Sequence, residues 1–158
     1  MSSLISWHNR ESHERHPPHL VADEKHTKRK GQREYLAVTA SCSCILGASL
    51  STSADTAGLK QAYGVFRTEA LEADLEYHPD SVTTDGWKAT RSAWRGLFPA
   101  ITLILCFLHE ILKLRTLCRS CKPLCHPLQE RLWHVYQATT KRQFAQRLRR
   151  LLSGRLSV

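Results

Sequence analysis

Two acidic residues stand where a sheet-based metal site would need them. Asp23 closes the stretch His19-Leu20-Val21-Ala22, and Asp85 closes Ser81-Val82-Thr83-Thr84. Each stretch is short and rich in β-formers, so each is a predicted strand ending in an acid. If the two strands lie side by side, both carboxylates leave the same end of the sheet. Carboxylate oxygens suit Mg²⁺, a hard cation. Two such ions can activate a hydroxyl and stabilise the leaving oxygen of a phosphoryl displacement. An Asp after a strand is also a common turn residue, so spacing alone leaves both readings open.

A second group has zinc-ligand spacing. Cys106-x-x-His109 and Cys118-x-x-Cys121 together supply the thiolates and imidazole of a tetrahedral site. Against that, Cys106 lies in an apolar stretch, where a thiol packs like a small hydrophobe. Cys42 and Cys44 alternate along a predicted strand and read as packing residues. A third group is basic: Lys25, Lys28, Arg29, Lys30 and Arg33 crowd a predicted turn around Gly31. Beside metal-binding acids this turn could hold phosphates; by itself it is equally a solvated hairpin tip.

The elements that must position these groups follow from periodicity. After a polar, His-rich leader over 1–18, three short strands are expected over 19–23, 34–42 and 44–50. They form an antiparallel meander. Leu59, Ala62, Tyr63, Phe66 and Ala70 recur at helical spacing within 53–76, with Ser53 or Asp55 as cap. The strand 81–84 follows, then a helix over 88–97 with Ala89, Ala93, Trp94 and Leu97 inward. Trp87 and Trp94 read as core anchors. Pro99 ends this helix, and 101–106 reads as a buried apolar strand. From Glu110 onward the pattern is helical, interrupted near Pro123 and Pro127. A single amphipathic helix is expected from about Leu128 to Leu152. Its polar face carries Lys141, Arg142, Arg147, Arg149 and Arg150, suited to a DNA backbone. Its apolar face could equally support a homodimer. The expected fold class is α/β, with the order βββ-α-β-α-β over 19–110 and a helical segment over 111–158.

Composition agrees with a nucleic-acid partner. The 158 residues hold 23 Lys+Arg against 14 Asp+Glu, a net charge of +9. That favours polyanions, though solubility alone would also account for it. The hydrophobic fraction of 42% is that of a globular core. No secretory signal is visible, and the longest apolar run, Phe98 to Leu108, is too short to span a bilayer. A cytoplasmic protein is expected, nucleoid-associated if bound to DNA, with thiols rather than disulfides.

The element order is that of an RNase H-like fold. The stretch Val82-Thr83-Thr84-Asp85-Gly86-Trp87-Lys88, with Leu97-Phe98-Pro99 and Cys106-Phe107-Leu108-His109, resembles the second-aspartate region of Mutator-like and related bacterial insertion-sequence transposases. Leu20-Val21-Ala22-Asp23-Glu24, followed by the basic turn and Tyr35-Leu36-Ala37-Val38, is similar to their first-aspartate region. The likeness covers about residues 19–118. It implies a partial RNase H-like fold followed by an incomplete helical insertion region. It also implies metal-dependent DNA strand cleavage and transfer, with Mg²⁺ or Mn²⁺ as cofactor. Asp23 and Asp85 would be the first two acids of a DDE triad. The third is a Glu beyond a helical insertion. Glu110 and Glu130 are the available candidates, and both have structural readings of their own. The expectation is therefore a transposase fragment inactive by itself, lacking the third acid and the domain that binds transposon ends. The competing expectations are a non-catalytic basic DNA-binding remnant and a zinc-stabilised interaction module.

Overall fold

The structure is a computed structural model that describes residues 17–42, 44–120 and 122–153. The chain divides into two compact units, Met1–Cys106 and Phe107–Val158. Residues 1–16 of the expected leader lie outside the described part.

In the first unit, β1 (His19–Arg29) and β2 (Gln32–Ser41) form a long hairpin, and β3 (Cys44–Ser51) extends it. Helix α1 (Thr56–Ala73) leads to β4 (Ser81–Thr84), α2 (Lys88–Leu97) and β5 (Thr102–Leu105). The five-stranded sheet has the order β3-β2-β1-β4-β5. The first three strands are antiparallel; β4 pairs parallel to β1, and β5 parallel to β4. This α/β arrangement of a mixed sheet followed by helices is the fold class expected from the sequence.

The helices cover one face of the sheet. Leu20, Ala22, Ala37, Leu46 and Val82 point from the strands into a core completed by Leu59, Tyr63 and Phe66 of α1 and Ala93 and Trp94 of α2. Trp94 is fully buried, with Tyr63, Phe66 and Phe98 rings at 5.1, 6.2 and 5.9 Å. Close packing sets residue size locally: a Cβ on Gly47 would stand 3.1 Å from Phe66 Cβ, so a larger residue there would push α1 from β3 by a few tenths of an ångström. Asp55 caps α1, its Oδ1 accepting from the Gly58 N–H at 2.7 Å.

Several boundaries differ from expectation. β1 does not stop at Asp23 but runs six residues further, to Arg29. The basic residues other than Lys30 are therefore strand residues, and the turn itself is Lys30-Gly31, with φ of 50° and 80°. Two positive φ values suit the twist of a tight hairpin. β5 is shorter than expected and is an edge strand of the sheet, with Ile104 44% and Leu105 55% exposed. Having one neighbour, it is not the buried strand its composition suggested. Cys42 and Cys44 flank the β2–β3 turn and are exposed, not packed.

The second unit holds α3 (Phe107–Leu117), a 3₁₀ turn (Cys118–Ser120), α4 (Lys122–Tyr136) and α5 (Lys141–Leu152). The expected single helix 128–152 is two. Thr140 takes an extended conformation and accepts from the Gln143 N–H, starting a new helix. Pro127 lies within α4 rather than breaking it. Phe107 stacks on Tyr136 at 4.2 Å, and Arg147 Nη1 donates to the His134 carbonyl at 2.6 Å. Val135 is the one buried hydrophobic residue of this unit among the described residues.

Candidate functional site

The pairing of β1 with β4 sets the site. Its register runs His19↔Ser81, Leu20↔Val82, Val21↔Thr83. Asp23 and Asp85 each lie two residues beyond the last registered pair, Val21 and Thr83, at the same end of the two parallel strands. Side chains alternate across a sheet, and Leu20 and Ala22 face the helices. Val21 and Asp23 therefore face the other way, onto the face that α1 and α2 leave uncovered. Asp85 directly follows Thr84, the last residue of β4, which is buried on the helix side like Val82. Asp23 sits in mid-strand, opposite Val38 of β2. The strand that carries it is thus held from both sides, by β2 and by β4.

Asp85 is oriented by a local turn. Its Oδ1 accepts from the Trp87 N–H at 2.7 Å, and the Gly86 N–H donates to Thr84 Oγ1 at 3.2 Å. Gly86 has φ of 87°, a conformation glycine adopts without steric penalty, and this turns the chain from β4 into α2.

Glu24, next to Asp23, points to the helix side. One oxygen, Oε1, accepts from the Tyr63 hydroxyl and from the Thr90 hydroxyl, both at 2.6 Å. Tyr63 also reaches the Asp23 carbonyl at 3.3 Å. Burial raises the Glu24 pKa above its ordinary value. The two hydroxyl bonds oppose that shift, and the negative charges of Asp85 and Asp23 add to it. The Tyr63 hydroxyl is pushed up as well, first by burial and then by the charge of Glu24. Three carboxyl groups are thus within electrostatic reach at one end of the sheet, with Glu24 held on the helix side.

The basic residues divide between faces. By alternation Lys25 and Arg29 share the side of Asp23, whereas Lys28 shares that of His26. Arg29 is engaged by Glu34: Nε donates to Oε1 and Oε2 at 2.9 and 3.0 Å, and Nη2 to Oε1 at 2.8 Å. Lys28 pairs with Arg33 across the hairpin, and both line a cavity of about 360 Å³ with His26, Tyr35 and Trp87. Trp94 is the core anchor expected; Trp87 is half-buried, packing against that core and lining this cavity. Lys30 lies in the exposed turn.

The expected zinc ligands are spread along the chain. Cys106 follows β5, its N–H bonded to the Thr84 carbonyl at 2.7 Å. His109 is in α3 and Cys118 in the 3₁₀ turn. Cys121 lies outside the described residues. Among the described residues no group of three or more His, Cys, Asp or Glu side chains is placed to hold a metal ion. Glu110 pairs with Lys113 at 2.9 Å on α3, and Glu130 lies 3.8 Å from His126 on α4. No helix among the described residues is long and apolar enough to cross a membrane.

No family model matches the chain, and no curated protein matches it. Among solved structures, it is similar to a chain in the cryo-electron microscopy structure of the simian T-cell lymphotropic virus intasome in complex with PP2A regulatory subunit B56 gamma. The TM-score is 0.41 at 15% identity, covering 78% of this chain and 50% of that one. The chain thus matches half the length of that neighbour. At this similarity the likeness decides neither family nor function.

Alternation along β1 puts Glu24 on the face opposite Asp23 already in the sequence; what sequence reasoning misses is the pair of buried hydroxyls, Tyr63 and Thr90, that it meets there. The His26–Tyr35–Trp87 group joins three elements, and no sequence spacing marks it.

Proposed function

We propose that the first unit is a nucleic-acid-binding core of the transposase type, in which Asp23 and Asp85 together hold a divalent cation. The observation that carries the reading is the parallel pairing of β1 with β4, which brings the segments bearing Asp23 and Asp85 to the same end of the sheet. The donor set fits: two carboxylates offer the oxygen ligands that Mg²⁺ prefers, with water completing its shell. When bound, Mg²⁺ supplies charge stabilisation at a phosphoryl group. The chain's own part is to fix the two carboxylates, through the β1–β2 and β1–β4 ladders and the turn that orients Asp85. Lys25, beside Asp23 on the same face, offers charge to a phosphate.

In this reading the chain binds metal and nucleic acid without cutting. Glu24 faces the helices and is occupied by Tyr63 and Thr90, so it does not complete a three-carboxylate site with the two aspartates. The test uses the full chain. Mg²⁺ is expected to raise the melting temperature of the parent protein but not of Asp85→Asn, and supercoiled plasmid is expected to stay intact. Nicking by the parent that disappears in Asp23→Ala and Asp85→Ala would overturn the non-cutting claim. A melting temperature indifferent to Mg²⁺ would overturn the metal reading.

A further inference from the structure

The cavity lined by His26, Tyr35 and Trp87 has a composition of its own. The three rings come from β1, β2 and the start of α2. Their centroids lie 5.0 Å apart for His26–Tyr35, 5.9 Å for His26–Trp87 and 6.5 Å for Tyr35–Trp87. They do not form a sealed core: His26 is exposed, and Tyr35 and Trp87 are half-buried. Trp94 is the opposite case, its ring fully buried among Tyr63, Phe66 and Phe98. The open rings border a space of about 360 Å³, within the usual range for small-ligand sites of about 300–1,000 Å³.

The charges at the rim select the ligand. Lys28 and Arg33 face each other across the hairpin and both line the cavity. Its one carboxylate, Glu34, is held in the bidentate pair with Arg29, so its charge is balanced within the hairpin. Aromatic faces beside two cations suit a planar ring carrying an anionic group. A paired base inside a duplex offers no free face, whereas an unpaired one does.

We propose that this cavity receives an unpaired base of a single-stranded nucleic acid, stacked on Trp87 and Tyr35 with its phosphate against Lys28 and Arg33. The proposal deepens the nucleic-acid reading above and rests on it for the ligand class. It does not depend on a metal, because none of the five residues is a carboxylate. The Asp85 Oδ1 to Trp87 N–H bond ties one wall of the cavity to the acidic site, so a strand held here is anchored through the segment that orients Asp85.

The experiment measures binding of short oligo(dT), oligo(U) and a DNA duplex to the full chain in EDTA, by affinity and by tryptophan emission. Both single strands, or the one whose sugar is accepted, are expected to bind with quenching, and the duplex without it. Trp87→Ala is expected to weaken single-strand binding about tenfold, the loss of one stacked base. Trp87→Phe keeps a ring, so it should retain most of the affinity while losing the quenching, which also shows that the fold is kept. Single-strand affinity unchanged in Trp87→Ala, or quenching unchanged in Trp87→Phe, overturns the proposal. EDTA separates the two readings: loss of the Trp87 effect leaves the Mg²⁺ response of Asp23 and Asp85 untouched, and the reverse.

Discussion

The Glu24 pocket allows a sharp test of how the acidic end of the sheet is held. Replacing Glu24 with Ala removes the acceptor of both the Tyr63 and Thr90 hydroxyls, at residues only 1% and 0% exposed. A buried donor left without a partner costs about 1–3 kcal/mol. Tyr63 retains the Asp23 carbonyl at 3.3 Å, so the loss falls mainly on Thr90. Glu24→Gln keeps a carbonyl oxygen that can accept from both hydroxyls and removes the charge. The difference between the two variants therefore reports chiefly the hydrogen bonds, and is expected to be about 1–3 kcal/mol in favour of Gln.

The charge acts with the opposite sign, and pH separates it. The folded Glu24 carboxyl has its pKa raised above 4.5, chiefly by burial and further by Asp85 and Asp23. Between the unfolded and folded pKa values the native state binds more protons, so stability falls as pH rises through that window. Well below the ordinary value of 4.5 the carboxyl is protonated in both states and the parent should match Glu24→Gln; above the folded pKa, Gln should be the more stable. Urea unfolding followed by tryptophan fluorescence at several pH values measures both effects. Gln as unstable as Ala would refute the hydrogen-bond argument. A Gln variant that loses ground to the parent as pH rises would refute the charge argument.

The metal reading predicts that Mg²⁺ at ten times its dissociation constant stabilises the parent by about 1.4 kcal/mol, read as a melting shift absent in Asp23→Asn and Asp85→Asn. Gly31→Ala should lower stability by about 1 kcal/mol in urea unfolding; its Cβ would meet nothing within 4 Å, so the effect is that of φ at 80° alone. Thr140→Ala should remove the cap on Gln143 and reduce helicity of the second unit by circular dichroism, at about 1 kcal/mol. Neutralising Lys28 and Arg33 together as Gln should flatten the salt dependence of single-strand binding, by about 0.7 in log–log slope for each phosphate that no longer meets a cation.

Much of the first unit can be read from its residues. The strand 81–84 and the helix 88–97 have the boundaries that periodicity assigns, because Pro79, Gly86 and Pro99 punctuate them. The five buried residues of α1 are those at helical spacing. Asp85 is legible for the same reason: strand, acid and glycine are adjacent in sequence. Where legibility ends in this unit, solvent is responsible. His26, Lys28 and Arg29 are poor strand formers by composition, yet all three side chains stay exposed on the hairpin, and pairing with β2 extends β1 through them. The split of the last helix is hidden because its apolar spacing continues on both sides of Thr140, whose extended backbone interrupts it.

The sequence by itself determined the types of the groups and the element order. It supplied one acid within a strand and one just after another, a basic hairpin, and a fold class of mixed sheet and helices. Only the tertiary structure decided which strands are neighbours, and with that which side chains share a face. Parallel pairing of β1 with β4 joins residues that local propensity treats separately, since the crossover between them carries no register information. A strand's two-residue period did the rest: it sent Asp23 to the open face and Glu24 into the core, and gathered His26, Tyr35 and Trp87 from three elements around one cavity.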